Sequence, residues 1–167
     1  MDSYLQKLRD AIASASGGMS TEELKRHPQG KWSAAEVLEH LYLTYTGTIK
    51  GCERCLQEGR PLARPPALRD LISTTVVTGF GFMPGGRKAP ERSTPRGMVP
   101  QEVANAIATT LVAMDEAIAR CEARFGKRTK LMDHPILGPL TARQWRKFHW
   151  VHGRHHVKQI RRLRKSN

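Results

Sequence analysis

Seven histidines occur in the chain, and four crowd into one short stretch: His149, His152, His155 and His156. The same stretch carries an apolar line at helical spacing, Trp145, Phe148, Ile160 and Leu163. A helix advances about 100° per residue, which sets His152 and His156 about 40° apart and His149 within about 60° of both. All three therefore share the apolar face, while His155, rotated about 60° from His152, falls at its edge. Two histidines at i, i+4 on one helix are spaced to reach a single metal ion. Gln159, three residues after His156, is placed to orient a ligand ring or a bound water. A metal site needs a further ligand, and His40 supplies one from the inward half of WSAAEVLEHL, one turn after Glu36. Together His40, His152 and His156 make a three-histidine facial site with positions open to water or substrate. Imidazole suits zinc, nickel, iron and manganese alike, so the identity of the divalent ion stays open. The competing reading is three core histidines bonded to one another or to backbone. Burying three such rings on two apolar helices needs a stronger reason than packing, which favours the metal.

Helices must position these residues. Four stretches have a helical apolar period. The first spans about Ser3 to Ser16, with Leu5, Leu8 and Ile12 inward. The second follows Trp32: Ser33 is a good N-cap, Glu36 completes a capping box, and Val37, Leu41, Tyr45, Ile49, Cys52 and Leu56 form its stripe before Gly59. The third begins after Pro100, carries Val103, Ile107, Leu111, Met114, Ile118, Cys121 and Phe125, and ends at Gly126. The fourth starts behind Thr141 and reaches about Arg164. No segment alternates long enough to argue a strand. The expected fold is all-α, a four-helix bundle in a single domain covering 1–167. Residues 59–100 then form a 42-residue connection between helices two and three. A connection of that length is usually functional or carries its own short element, and Ala67 to Val77 is the best candidate for one. The glycine-rich GFGFMPGG at 79–86 lacks the GK[ST] ending of a phosphate-binding loop and reads as a turn.

The chain has 167 residues, 39% of them hydrophobic, enough for one ordinary core. Three cysteines are too few and too odd in number for a disulfide scaffold. The N-terminal stretch lacks the apolar run of a secretion signal, and nowhere do about 18 apolar residues follow one another. These features point to a soluble, cytoplasmic protein without a membrane span. Lys and Arg number 28 against 15 acids, a formal charge of +13. The surplus is local: 134–167 holds nine bases and no acid, and 59–96 holds seven bases against Asp70 and Glu91. One reading of these segments is a solvated face with a frayed helix end. The other is an anion-binding rim around whatever they enclose, with Arg60, Arg87 and Lys88 placed to hold carboxylates of a substrate.

The WSxxEVLEHL start of the second helix and the HPxLGxLTxxxWxxFHxxHxxHHxxQI run at 134–160 resemble the DinB/YfiT-like superfamily, in its DinB-like branch of metal-binding four-helix bundles. The likeness covers most of the chain in helix layout, and its specific motifs lie in these two stretches. It implies a divalent metal held by one histidine of helix two and an HxxxH pair of helix four, which fall here on His40, His152 and His156. It also implies homodimers and, in some members, transferase or isomerase activity using low-molecular-weight thiols. The strong basicity and the basic connection depart from that pattern.

Other chemistries are weaker. Cys52 and Cys55 form a C-x-x-C inside a helix, away from any βαβ pattern, so a thioredoxin-like site is disfavoured. Glu36 and Glu39 are the inward-leaning acids that could orient His40, and their solvent-plausible positions favour a role outside the site. Asp133 and His134, in the loop entering the fourth helix, are candidates for a weak fourth ligand or a proton carrier. The alternative function class is a nucleic-acid-binding or stress-response interaction protein that uses the basic C-terminal helix on phosphates. It is disfavoured because no DNA-reading motif is present and the bases do not form one aromatic-interleaved stripe.

Overall fold

The four expected helices form where their apolar stripes lie. In the computed structural model, which describes residues 1–27, 29–83 and 88–165, α1 spans Ser3–Ser16, α3 Ala34–Gln57, α5 Pro100–Phe125 and α6 Ala142–Lys165. Local chemistry sets the ends. The Asp2 carboxylate accepts from Tyr4 N at 2.9 Å at the start of α1, and Ser33 and Glu36 exchange the two bonds of a capping box at the start of α3. Pro100 opens α5, where a missing N–H costs nothing, and Gly126 at φ 95° closes it. The short helix α2, Thr21–Lys25, has its own capping box from Ser20 and Glu23.

Packing follows the stripes. Helix α3 lies along α5 and α1 lies along α6. Leu5, Leu8, Leu38, Leu41, Leu111, Ile118 and Ile160 are fully buried, each contributing about 1.5–3 kcal/mol relative to exposure. Gly153 of α6 allows a close approach: a Cβ there would lie 2.7 Å from Leu8 Cδ2. Arg146 of α6 ties the long helices together, reaching Asp115 at 2.7 Å and Glu122 at 2.6 Å, both on α5.

Two features differ from expectation. The protein is mostly helical, in keeping with an all-α class, but the described residues hold six helices and a small two-stranded sheet where a bundle of four helices was expected. Strand β1, Lys130–His134, pairs antiparallel with β2, Gly138–Thr141. Strands of five and four residues are too short to show a period of two, and β2 contains a proline. Asp133 and His134 therefore sit at the end of a strand, not in a loop.

The long connection also carries structure, as its length suggested. Helix α4, Leu68–Thr74, runs into one π-helical turn, Thr75–Gly79, and a 3-10 turn follows at Glu91–Ser93. Two contacts dock α4 on the hairpin. Thr74 Oγ1 donates to Leu137 O at 3.0 Å, and Asp70 packs so closely on Gly138 that a Cβ there would lie 2.6 Å from its Oδ1. The end of the connection is strapped to α3: the Glu39 carboxylate, 2% exposed, accepts from the backbone N–H of Arg96, Gly97 and Met98 at 2.6, 3.2 and 3.1 Å. The connection thus covers one side of α3 and α6 and encloses a cavity with them.

A three-histidine cluster at the wall of a cationic cavity

His40 stands on the second turn of α3, and His152 and His156 stand one turn apart on α6. Their ligand atoms lie within 4.8 Å of one another. His152 Nε2 is 3.1 Å from His40 Nε2 and 3.0 Å from His156 Nε2. The outer nitrogens of two rings are anchored. His40 Nδ1 lies 2.7 Å from Ser93 O, an atom that only accepts, so Nδ1 carries the proton and Nε2 presents a lone pair. His156 Nδ1 lies 2.7 Å from Gln159 Oε1, which fixes the same tautomer, and Gln159 Nε2 donates to His155 Nε2 at 3.3 Å. Burial first, and then for His152 and His156 the neighbouring imidazoles, push the pKa of these rings down, to about 3 for His156. At neutral pH the rings are uncharged.

That arrangement is short of protons. A neutral His152 carries at most one hydrogen on Nε2, so it can satisfy only one of the two lone pairs facing it. Its Nδ1 is buried without a hydrogen-bond partner. The cluster could hold a divalent cation: metal–imidazole bonds of about 2.0–2.1 Å set neighbouring nitrogens roughly 3 Å apart, as His152 is from each of the other two rings. The carbonyl and amide on the outer nitrogens are the partners that metal-binding histidines use to fix ring orientation.

The cluster opens on a cavity of about 1530 Å³ bounded by α3, α6, the hairpin and the connection. Lys31, Lys50, Arg54, Lys88, Arg92, Arg96 and Arg162 border it, with Asp133 its one carboxylate among the described residues. Asp133 is itself 3.8 Å from Arg64. Trp32, Val77, Met132, Trp145 and Phe148 supply apolar wall.

The other candidates fall in different places. His149, fully buried, lies outside the cluster, with Nε2 3.0 Å from Thr48 Oγ1. His155 lies at the cavity edge, as its helical angle implied, and Lys88 is on the rim. Glu36 is engaged in the α3 cap, and Arg60 pairs with Glu58 at 3.0 Å in solvent. Arg87 lies outside the described residues. His134 does not join the cluster: its Nδ1 accepts from Ile136 N and Leu137 N, both at 3.1 Å, and its ring packs 4.3 Å from Phe148. Burial, and then the charge of Arg92, push its pKa down to about 3, so it does not shuttle protons near neutrality. Cys52, Cys55 and Cys121 are buried, and burial raises all three thiols, which keeps them inert.

Ser93, Glu39 and Arg92 have roles that residue type and spacing did not reveal. A carbonyl carries no side-chain signal, and the only hint of Ser93 was the length of the segment that holds it.

Fold and site together define a mainly helical protein whose buried three-histidine cluster could hold a metal ion at the wall of a basic cavity. The chain belongs to the DUF1569 family of proteins of unknown function, which it matches over residues 4–163. It matches no curated protein and no solved structure. Among the described residues, no helix is long and apolar enough to cross a membrane.

Proposed function

We propose that the protein binds a divalent metal ion through His40, His152 and His156 and acts as a metal-dependent enzyme of the thiol-transferase or hydrolase type on a small anionic substrate. The observation that carries this reading is the convergence of Nε2 lone pairs whose outer nitrogens are held by Ser93 O and Gln159 Oε1. A bound ion would lower the pKa of a water or thiol in its open position and stabilise the resulting anion. Every other contribution belongs to the chain: the apolar wall excludes water and the cationic rim draws in an anion. The resemblance of the two motif stretches to DinB-like proteins points to the same ligands and to a homodimer.

The nucleic-acid alternative loses ground on charge placement. Arg146 is buried against two carboxylates, Arg154 reaches Gly81 O at 3.2 Å, and Arg162 borders the cavity. Of these three bases of α6, Arg146 is withdrawn from a phosphate backbone by burial, while Arg154 and Arg162 stay exposed. Elemental analysis of the purified protein beside its His152→Ala and His156→Ala variants tests the metal reading. One equivalent of zinc, nickel, iron or manganese should be present and lost in both variants; unchanged metal content in both would sink it.

A further inference from the structure

One short element feeds two sides of the cavity. The 3-10 turn at Glu91–Ser93 gives its last carbonyl to His40 and carries Arg92 on the cavity wall beside it. Arg92 makes no salt bridge among the described residues. His134 lines the same cavity, close enough to feel the charge of Arg92. The hairpin turn fixes the tautomer of this ring: two backbone N–H groups donate to Nδ1, so the neutral ring carries its proton on Nε2. That N–H bonds no protein atom among the described residues, and His134 lines the cavity. His134 packs on Phe148 at 4.3 Å and Phe148 stacks on His152 at 5.2 Å, so a single phenyl ring separates it from the metal-site histidines. The nearby carboxylate, Asp133, is within 3.8 Å of Arg64 and does not compete for Arg92.

We propose that Arg92 and the Nε2–H of His134 form an oxyanion subsite that holds the carboxylate or phosphate of the cavity's ligand one phenyl ring away from the histidine cluster. A free guanidinium offers a planar fork to two oxygens, and a neutral imidazole N–H adds a directed bond from the more buried side. The ligand class that fits is a short molecule with an anionic group at one end and a metal-directed group, a thiol or carbonyl, at the other. The subsite rests on reading the cavity as the ligand site, but it does not require the metal.

The experiment is a calorimetric titration of the full-length protein, kept metal-free with chelator, using inorganic phosphate in one arm and succinate in the other. At least one anion should bind, and Arg92→Ala should weaken it about tenfold or more. His134→Asn should do the same, because Asn keeps an acceptor for the two turn N–H groups and removes the Nε2 donor. Arg69→Ala removes one charge from exposed α4, outside the cavity lining, and should leave binding unchanged. The preferred anion distinguishes a carboxylate from a phosphate ligand. No binding in either arm, unchanged binding in both Arg92→Ala and His134→Asn, or an equal loss in Arg69→Ala would overturn the proposal. Loss of metal from the His152 and His156 variants is measured separately, so failure of one reading does not pass for failure of the other.

Discussion

Acid should unfold this protein through its histidines. Burial holds His134, His149 and His156 at a pKa of about 3, whereas each titrates near about 6.5 in the unfolded chain. Above the unfolded value neither state binds these protons, and the full stability is present. Below it the unfolded chain takes up protons that the folded chain refuses, so stability falls as pH drops from about 6.5 towards 3. At about pH 5.5, one unit below the unfolded pKa, each ring costs about 1.4 kcal/mol, and the three together about 4 kcal/mol. A domain is typically stable by about 5–15 kcal/mol, so the loss should be plain in urea unfolding followed by circular dichroism, with chelator present. His149→Gln is the decisive variant: whatever it costs at about pH 7.5, it should shrink the difference between about pH 7.5 and 5.5 by about 1.4 kcal/mol. Equal stability at the two pH values, or an unchanged difference in His149→Gln, would refute the placement of neutral, buried imidazoles.

Two other substitutions follow from named contacts. Gln159→Ala removes the acceptor 2.7 Å from His156 Nδ1 and should weaken metal binding about 10- to 100-fold in a competition titration, with the helical spectrum unchanged. Arg146→Ala strands the carboxylates of Asp115 and Glu122 and should cost about 3–5 kcal/mol in urea unfolding, while metal content stays the same.

Much of this site was legible in the sequence because helices repeat. The i, i+4 spacing of His152 and His156 and the shared face with Trp145 and Phe148 placed two rings together, and the inward half of α3 supplied His40. The parts that were not legible lie where contact depends on tertiary docking. Nothing local announces that Ser93 lends its carbonyl to a ring 53 residues earlier, or that Glu39 leaves a plausible solvent position to gather three backbone N–H groups. The hairpin escaped because its strands are too short for periodicity, and with it went the true setting of His134. Charge was legible only as a total: Arg146 and Arg162 count alike in composition, yet one is buried in an ion-pair cluster and the other borders the cavity.

The adjacent residues Glu39 and His40 fasten the same incoming segment at sequence separations of 53 to 59, and His40 meets His152 at a separation of 112. This has a consequence for how the protein is made. Chains emerge from the ribosome N-terminus first. Once residues 100–125 have emerged, α3 can pair with α5 and draw in its strap, yet the growing chain still has one imidazole of three. The cluster is completed only when residues 152–156 arrive, so any ion held by all three histidines would be captured after α3 and α5 have had the chance to pair.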